Sequence, residues 1–332
     1  MLQILRNYKF FFFFFFFLFV FLFISTLLKF IKIFFFFLFF FHILSFSDDF
    51  NINEIDENIF VHFGKQEDSS KENKGDIANI GFIIGEKSVL VIDTGGTTEI
   101  AEKLISKIHS KTDLPISHVV ITHGHPDHFL GSSAFSKFNP IFIGHENLKR
   151  SLTMNFNFYK ALQARNIEQE SILEIKPVLP SLSIKKNTSY EVNLGNRKIN
   201  ITAWESGHTD NDLSVLDLKT KTLWTENIFV ERTPSIRASI LGWKKNLEET
   251  IKMDLNKIIP GHGPVLDKNQ AIEPMMNYFN RLLNETRAHH KSGGDIESAQ
   301  KQIGSGNEEN WLLFEEYHKS NVTKVYSELE WE

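Results

Sequence analysis

The chain has 332 residues, with 36 Lys and Arg against 41 Asp and Glu and a formal net charge of −5. That length can bury a sizeable core in one large domain or two small ones, and the acidic balance offers no basic surface for nucleic acid. There is no cysteine, which excludes disulfides, thiolate zinc sites and a cysteine nucleophile, so any metal must be held by His, Asp or Glu.

The N-terminus is compositionally biased. Phe10 to Phe17 is unbroken phenylalanine and apolar residues continue to Leu28; Lys29 and Lys32 interrupt the run, which resumes from Ile33 to Leu44. The second block has the form of a secretory signal, with the two lysines as the charged region, Ile33 to Leu44 as the apolar region, and Ser45 and Ser47 at the cleavage site. The first block comes near the ~20 residues that span a bilayer. Residues 1–47 are therefore expected to be a Phe-rich signal peptide or, left uncleaved, a membrane anchor. Residues 48–332 are expected to form a single domain that is periplasmic or secreted, or anchored so as to face the periplasm. Contact with a membrane is expected only through the uncleaved leader.

From Asp48 onward the polar stretch Lys65 to Asp76 reads as a loop between short strand-like runs, "NIFVHF", "NIGFII" and "SVLVID", bounded by Gly, Asn and Asp. Ile100, Leu104, Ile105 and Ile108 are spaced for an amphipathic helix over Thr98 to Ser110. "ISHVVIT" returns to strand, so the residues after it lie just past a strand's carboxyl end, where α/β proteins commonly place ligands. Asn147 to Lys176 is expected to be helical. "SYEVNL", "KINITAW", "LSVLDL" and "KTLWT" make a strand-rich second half, and "MDLNKIIPGHGPV" reads as helix end, strand and Gly-Pro loop. Helices are predicted over Ile272 to His290 and Asn310 to Leu329. Two halves of alternating strands and helices, each with a His-bearing loop after a strand, fit an α+β sandwich of two packed sheets with helices outside.

"HGHPDH" supplies His123, His125, Asp127 and His128 within six residues. In extended backbone His123 and His125 share a face and can converge on one ion, while Asp127 and His128, past the proline, point to a neighbouring position. "WESGHTDND" adds His208 and "IIPGHGP" adds His262, each beside Gly at a strand exit. Together they give His123, His125 and His208 for one ion, and Asp127, His128 and His262 for a second. Three protein ligands and an open position are the arrangement of a catalytic zinc. Among the other histidines, His145 is a candidate lining residue. His289 and His290 are expected to be solvated or to meet helix-terminal carbonyls, and His318 to lie on the surface or in packing.

The ordered set "VIDTGG", "THGHPDH", "GHTDND", "LWTENIFVERTPSI" and "IIPGHGPV" resembles the metallo-β-lactamase superfamily of hydrolases. "ERTPSIRASILGW" and the ending "ELEWE" are similar to its exported subgroup, the quinoprotein relay system zinc metallohydrolases. The resemblance covers roughly Ile52 to Glu332 and implies an αββα sandwich with the site at the sheets' edges. It implies the same two ligand triads for one or two Zn²⁺ ions, and Asp93 as the residue that orients the ligand loop. It also exposes a departure. The superfamily usually has Gly-Asp between the two halves, the Asp bridging both metals, whereas this chain has Glu226 and Asn227. A neutral amide bridges two cations poorly. Three outcomes stay open: a weak second metal, Glu226 in the bridging role, or a single zinc. The missing Asp also argues against a mononuclear iron dioxygenase.

The activity implied is attack of a metal-bound hydroxide on an ester, thioester or lactam-like carbonyl of a small molecule, with His123 and His125 holding the metal and Asp127 holding and deprotonating the water. The alternative is a metal-binding accessory protein that serves an exported quinoprotein partner with little or no turnover.

Overall fold

The computed structural model describes residues 16–17, 19–34, 50–304 and 311–332, which divide into two units, 1–49 and 50–332. In the first unit the described residues are helical. Among the described residues no helix is long and apolar enough to cross a membrane. The expected cleavage site near Ser47 and all of the second apolar block except Ile33 and Phe34 lie outside the described residues, as do Phe10 to Phe15 and Leu18 of the first block.

In the second unit, apolar runs with side chains alternating between two faces bury both of those faces. Seven strands follow one another across the first sheet: β1 (Asn53–Asp56), β2 (Ile59–His62), β3 (Ile80–Ile84), β4 (Val89–Ile92), β5 (Ile116–Val120), β6 (Ile141–His145) and β7 (Leu182–Ile184). β1 to β4 pair antiparallel, and β4 to β7 parallel. The second sheet has the order β12-β11-β10-β9-β8, from β8 (Thr188–Asn193), β9 (Lys198–Ala203), β10 (Leu213–Asp217), β11 (Thr222–Phe229) and β12 (Lys257–His262). It is antiparallel except for the β11–β12 pair.

The period of two assigns each strand residue to a layer. Leu90 and Ile92 of β4 join Val215, Trp224 and Ile259 of the second sheet in the core between the sheets. Val89 and Val91 of the same strand face outward, onto α1 (Thr98–Lys111) and α3 (Leu148–Asn166). Leu223 and Ile258 face the other way, onto α4 (Ile240–Lys252), α5 (Lys268–Lys291), α6 (Ile296–Gln302) and α7 (Phe314–Leu329). This is the expected sandwich of two mixed sheets flanked by helices.

Some boundaries differ from expectation. α3 stops at Asn166 because Glu168 takes φ 53°, which breaks the helix before the short 3₁₀ turn Glu170–Glu174. α5 starts at Lys268, where the Asp267 side chain caps it by accepting from Gln270 N. α7 begins only at Phe314. The strands β1, β6 and β7 and most of α4 have no counterpart in the predicted elements.

Candidate metal centre

The site is built where strands end. β4 terminates at Asp93, whose φ of 55° turns its wholly buried carboxylate back across the mouth of β5. There it accepts from Thr122 N (2.8 Å), Thr122 Oγ1 (2.6 Å) and His128 Nδ1 (2.8 Å). Beyond β5, Pro126 opens the single helical turn α2 (Pro126–Phe129), so Asp127 and His128 leave the direction set by His123 and His125. His208 hangs from the loop between β9 and β10, which Asp212 closes by accepting from Thr209 N and Oγ1. His262 is the last residue of β12. The segment before β3 holds it in place: Ile77 O accepts from His262 Nδ1 at 2.7 Å, and Asn79 Nδ2 donates to Pro260 O and Gly263 O.

These elements bring all six predicted ligands into two groups, His123–His125–His208 and Asp127–His128–His262, the ligand atoms of each lying within 4.8 Å of one another. In the first, His125 Nδ1 faces His123 Nε2 at 2.8 Å and His208 Nε2 at 3.0 Å. Donation from His208 Nδ1 to Ser235 O fixes the lone pair on its Nε2. In the second, His128 Nδ1 is committed to Asp93, so its Nε2 lone pair faces Asp127 Oδ2 at 3.2 Å and Glu226 Oε2 at 3.5 Å. Acceptors aimed at acceptors in a buried space repel unless a cation lies between them, and His128 Nε2 and both Glu226 oxygens have no hydrogen-bond partner. The donor set of imidazole nitrogens and carboxylate oxygens suits zinc, so the residues fit the metal the fold implies.

The electrostatics agree. Burial holds His123 and His208 well below the ordinary histidine range, and His125 at about 4, so that their rings are neutral, the form that ligates. Burial, with Arg232 beside it, does the same for His262. Burial opposes charge on Asp127, yet His128, His262 and His125 hold its carboxyl far below the usual carboxylate range. His128 and Glu226 differ: burial opposes charge on the His128 ring, but Glu226, Asp127 and Asp93 outweigh it and hold the ring well above the ordinary histidine range. Burial holds the Glu226 carboxyl well above the usual carboxylate range, so without a cation between them these groups retain a proton.

Glu226, with His123 from one triad and His128 from the other, makes a third ligand group and so stands between the two. Strand alternation puts it there. Trp224 lies in the core between the sheets, and Glu226, two residues on, shares that face. Gly261 makes the room, since a Cβ there would lie 1.6 Å from Glu226 Oε2. Asn227 is the next residue and is also buried. Its carbonyl accepts from Trp243 Nε1 of α4, and its buried amide has no partner among the described residues. The match to Gly-Asp puts the bridging position at Asn227 with Glu226 beside it; the side chains of both are buried and unpartnered, and it is the Glu226 carboxylate that groups with His123 and His128. Alternation from Trp224 was the signal in the sequence that pointed to it.

His145 is not a lining residue. It is buried, with its ring nitrogens bonded to Trp204 O and Asn147 N. His289 and His290 meet the carbonyls of Asp295 and Tyr326, and His318 is buried against Tyr278 and Ile303 O. The sequence reading also missed Asn79 and the two cationic residues of the cleft, Arg232 and Arg237. Arg232 is buried, donating to Asp68, Glu67 O and Tyr317 Oη. The triads open into a cleft of about 730 Å³.

The model of the metallo-β-lactamase superfamily matches residues 73–262, more than half of the chain. No curated protein sequence matches. Among solved structures, the chain is similar to the metallo-β-lactamase TMB-1, with 19% identity and a TM-score of 0.55 over 69% of this chain and 96% of that one. It is also similar to a metallo-β-lactamase from Pontibacter korlensis, with 16% identity and a TM-score of 0.56 over 69% and 98%. The sec-alkylsulfatase Pisa1 from Pseudomonas sp. is 14% identical with a TM-score of 0.64, covering 85% of this chain but only 50% of that one. At these identities the likeness establishes the fold. With the family match over the segment that carries the whole ligand set, it follows that this chain belongs to the metallo-β-lactamase superfamily.

Proposed function

We propose that the protein is an exported zinc-dependent hydrolase of ester, thioester or lactam-like carbonyls, working with two ions. The observation that carries this reading is the placement of Glu226 between two complete triads at the head of a cleft. His123, His125 and His208 would hold the first ion, Asp127, His128 and His262 the second, and Glu226 would reach both. When bound, zinc polarises a carbonyl oxygen and lowers the pKa of a water. The chain supplies the rest. Asp93, Ser235 O and Ile77 O fix the orientation of His128, His208 and His262. The Asp127 carboxylate, held ionised, would orient the attacking water and stand as the acceptor of its proton. Five of the six ligands are buried, which lowers the local dielectric and strengthens each of these interactions.

Export and membership of the quinoprotein relay subgroup belong to the same proposal. The apolar leader supports the first, and "ERTPSIRASILGW" with "ELEWE" supports the second. The alternative, a metal-binding accessory protein for an exported quinoprotein with little or no turnover, leans on Asn227 as a degraded bridge, and the Glu226 carboxylate grouped with His123 and His128 favours turnover over it.

Purification without chelator should yield about two zinc per chain by elemental analysis, and His123→Ala should abolish turnover of thioester, ester and lactam probes. Less than about half an equivalent of zinc would overturn the reading, as would activity that persists in His123→Ala.

A further inference from the structure

Beyond the ligands, the cleft carries one uncommitted charge. Apart from Asp127 and the ligand histidines, its ionic lining residues are Asp68, Asp210, Arg232 and Arg237. Asp68 is taken by Arg232 at 3.0 Å, and Asp210 by Arg150. The side chain of Arg237 has no ion pair or hydrogen bond among the described residues, although it lies close enough for its charge to bear on His125, His208 and Tyr159. The backbone just before it is tied to the first triad, since Arg237 N donates to His208 O and His208 Nδ1 to Ser235 O. Its place beside the centre is therefore set, while its guanidinium stays open to the cleft.

An exposed arginine alone is ordinary. Here it faces a wall of different chemistry. Asn155, Phe158, Tyr159 and Leu162 of α3 all line the same cleft and share one helical face. Phe158 is 65% exposed and stands beside half-buried Tyr159 and Leu162, so the cleft presents a contiguous apolar face that an apolar ligand would cover. A half-buried Tyr159 stands edge-on to His125, with ring centroids 6.1 Å apart, so the apolar wall runs up to the first triad.

We infer that the substrate is an anionic amphiphile: a negatively charged group, separate from the scissile carbonyl, binds Arg237, and an apolar body lies on the Phe158–Leu162 face of α3. Only the bond that is cut rests on the hydrolase reading; the binding half stands without turnover.

Binding of three probes to the full zinc-loaded chain, followed by calorimetry, tests this. Decanoate carries both features, decanol lacks the charge and acetate lacks the chain. In the wild type decanoate should bind roughly tenfold or more tightly than either of the others. Arg237→Ala should erase the advantage over decanol, Arg237→Lys should keep part of it, and Phe158→Ser should erase the advantage over acetate. Decanoate binding that is equal in wild type and Arg237→Ala would overturn the proposal, because the carboxylate would then be held elsewhere. Turnover separates the two readings. With a thioester bearing a remote carboxylate and its neutral amide analogue, Arg237→Ala should raise KM about tenfold for the first only, with kcat unchanged. If the wild type cleaves both with the same KM, the substrate class is wrong and the hydrolase stands. If it cleaves neither while decanoate binding still depends on Arg237, the hydrolase reading falls and the anion site stands.

Discussion

Asp93 touches no metal position, yet the second triad depends on it. A non-glycine residue at φ 55° carries about 1–3 kcal/mol of strain, which aspartate tolerates better than most. In return the carboxylate sets the His128 tautomer and pins Thr122. Asp93→Asn keeps the shape and loses the charge, so zinc affinity should fall about 10- to 100-fold by chelator competition. Unchanged affinity would mean His128 is oriented some other way. Glu226 admits a paired test. Glu226→Gln should lower zinc affinity by at least about tenfold, because it removes a direct ligand. Asn227→Asp should leave the affinity unchanged and cost stability, because it buries a carboxylate beside Trp243 with no partner. If Asn227→Asp instead raises the zinc content, the bridge belongs at residue 227. The triads themselves were legible because three histidines and an aspartate crowd into "HGHPDH" after a strand, which gives weight to His208 and His262, each a weak signal alone. The choice between Glu226 and Asn227 was not legible from the resemblance, because a match to Gly-Asp aligns residues by position and carries no information on which side chain enters the site.

The elements that were legible are those whose pattern is set by burial on both faces. β4, β5 and β12 are short β-branched runs ending in ligand loops, and they appear where expected. β1 is a largely exposed edge strand, "NEID", and β7 has only three residues, too short for a period to register. Most of α4 was left unassigned; near its start stands Gly242. In the fold it lies in the helix's first turn, where a Cβ would sit 2.0 Å from Ser206 O, so glycine lets α4 pack against the loop carrying His208. Gly261 is the same device on β12 and allows a test of how element packing and site chemistry are joined. Gly261→Ala should lower stability by about 1–3 kcal/mol and weaken zinc binding, because its methyl must displace the Glu226 carboxylate. In the double variant Gly261→Ala/Glu226→Ala the stability penalty should largely disappear, whereas additive penalties in a denaturation cycle would show that the two side chains do not share the space.

Taken whole, the sandwich is fastened across its two sheets at both ends. At one end Arg197, which precedes β9, donates from Nε and Nη2 to the Asp217 carboxylate, both at 3.0 Å, and from Nη1 and Nη2 to Ile84 O and Glu57 O. These partners lie in both sheets, and the guanidinium and its carboxylate are buried. At the other end the ligands do the joining: His123, His125, Asp127 and His128 follow the first sheet, while His208, Glu226 and His262 belong to the second. The six residues of β9 separate the two ends by roughly 20 Å, far enough for their energies to add. Removing one partner of a buried ion pair leaves the other uncompensated, so Arg197→Met should cost about 3–5 kcal/mol in denaturant unfolding while zinc affinity stays at its wild-type value. Stripping zinc should lower the melting temperature of the wild type, because an ion present at a thousandfold excess over its Kd contributes about 4 kcal/mol to the folded state. That loss should be the same size in Arg197→Met as in the wild type. A smaller loss in the variant would mean that the two fastenings form one cooperative unit, so that the metal centre depends on the far end of the sandwich for its shape.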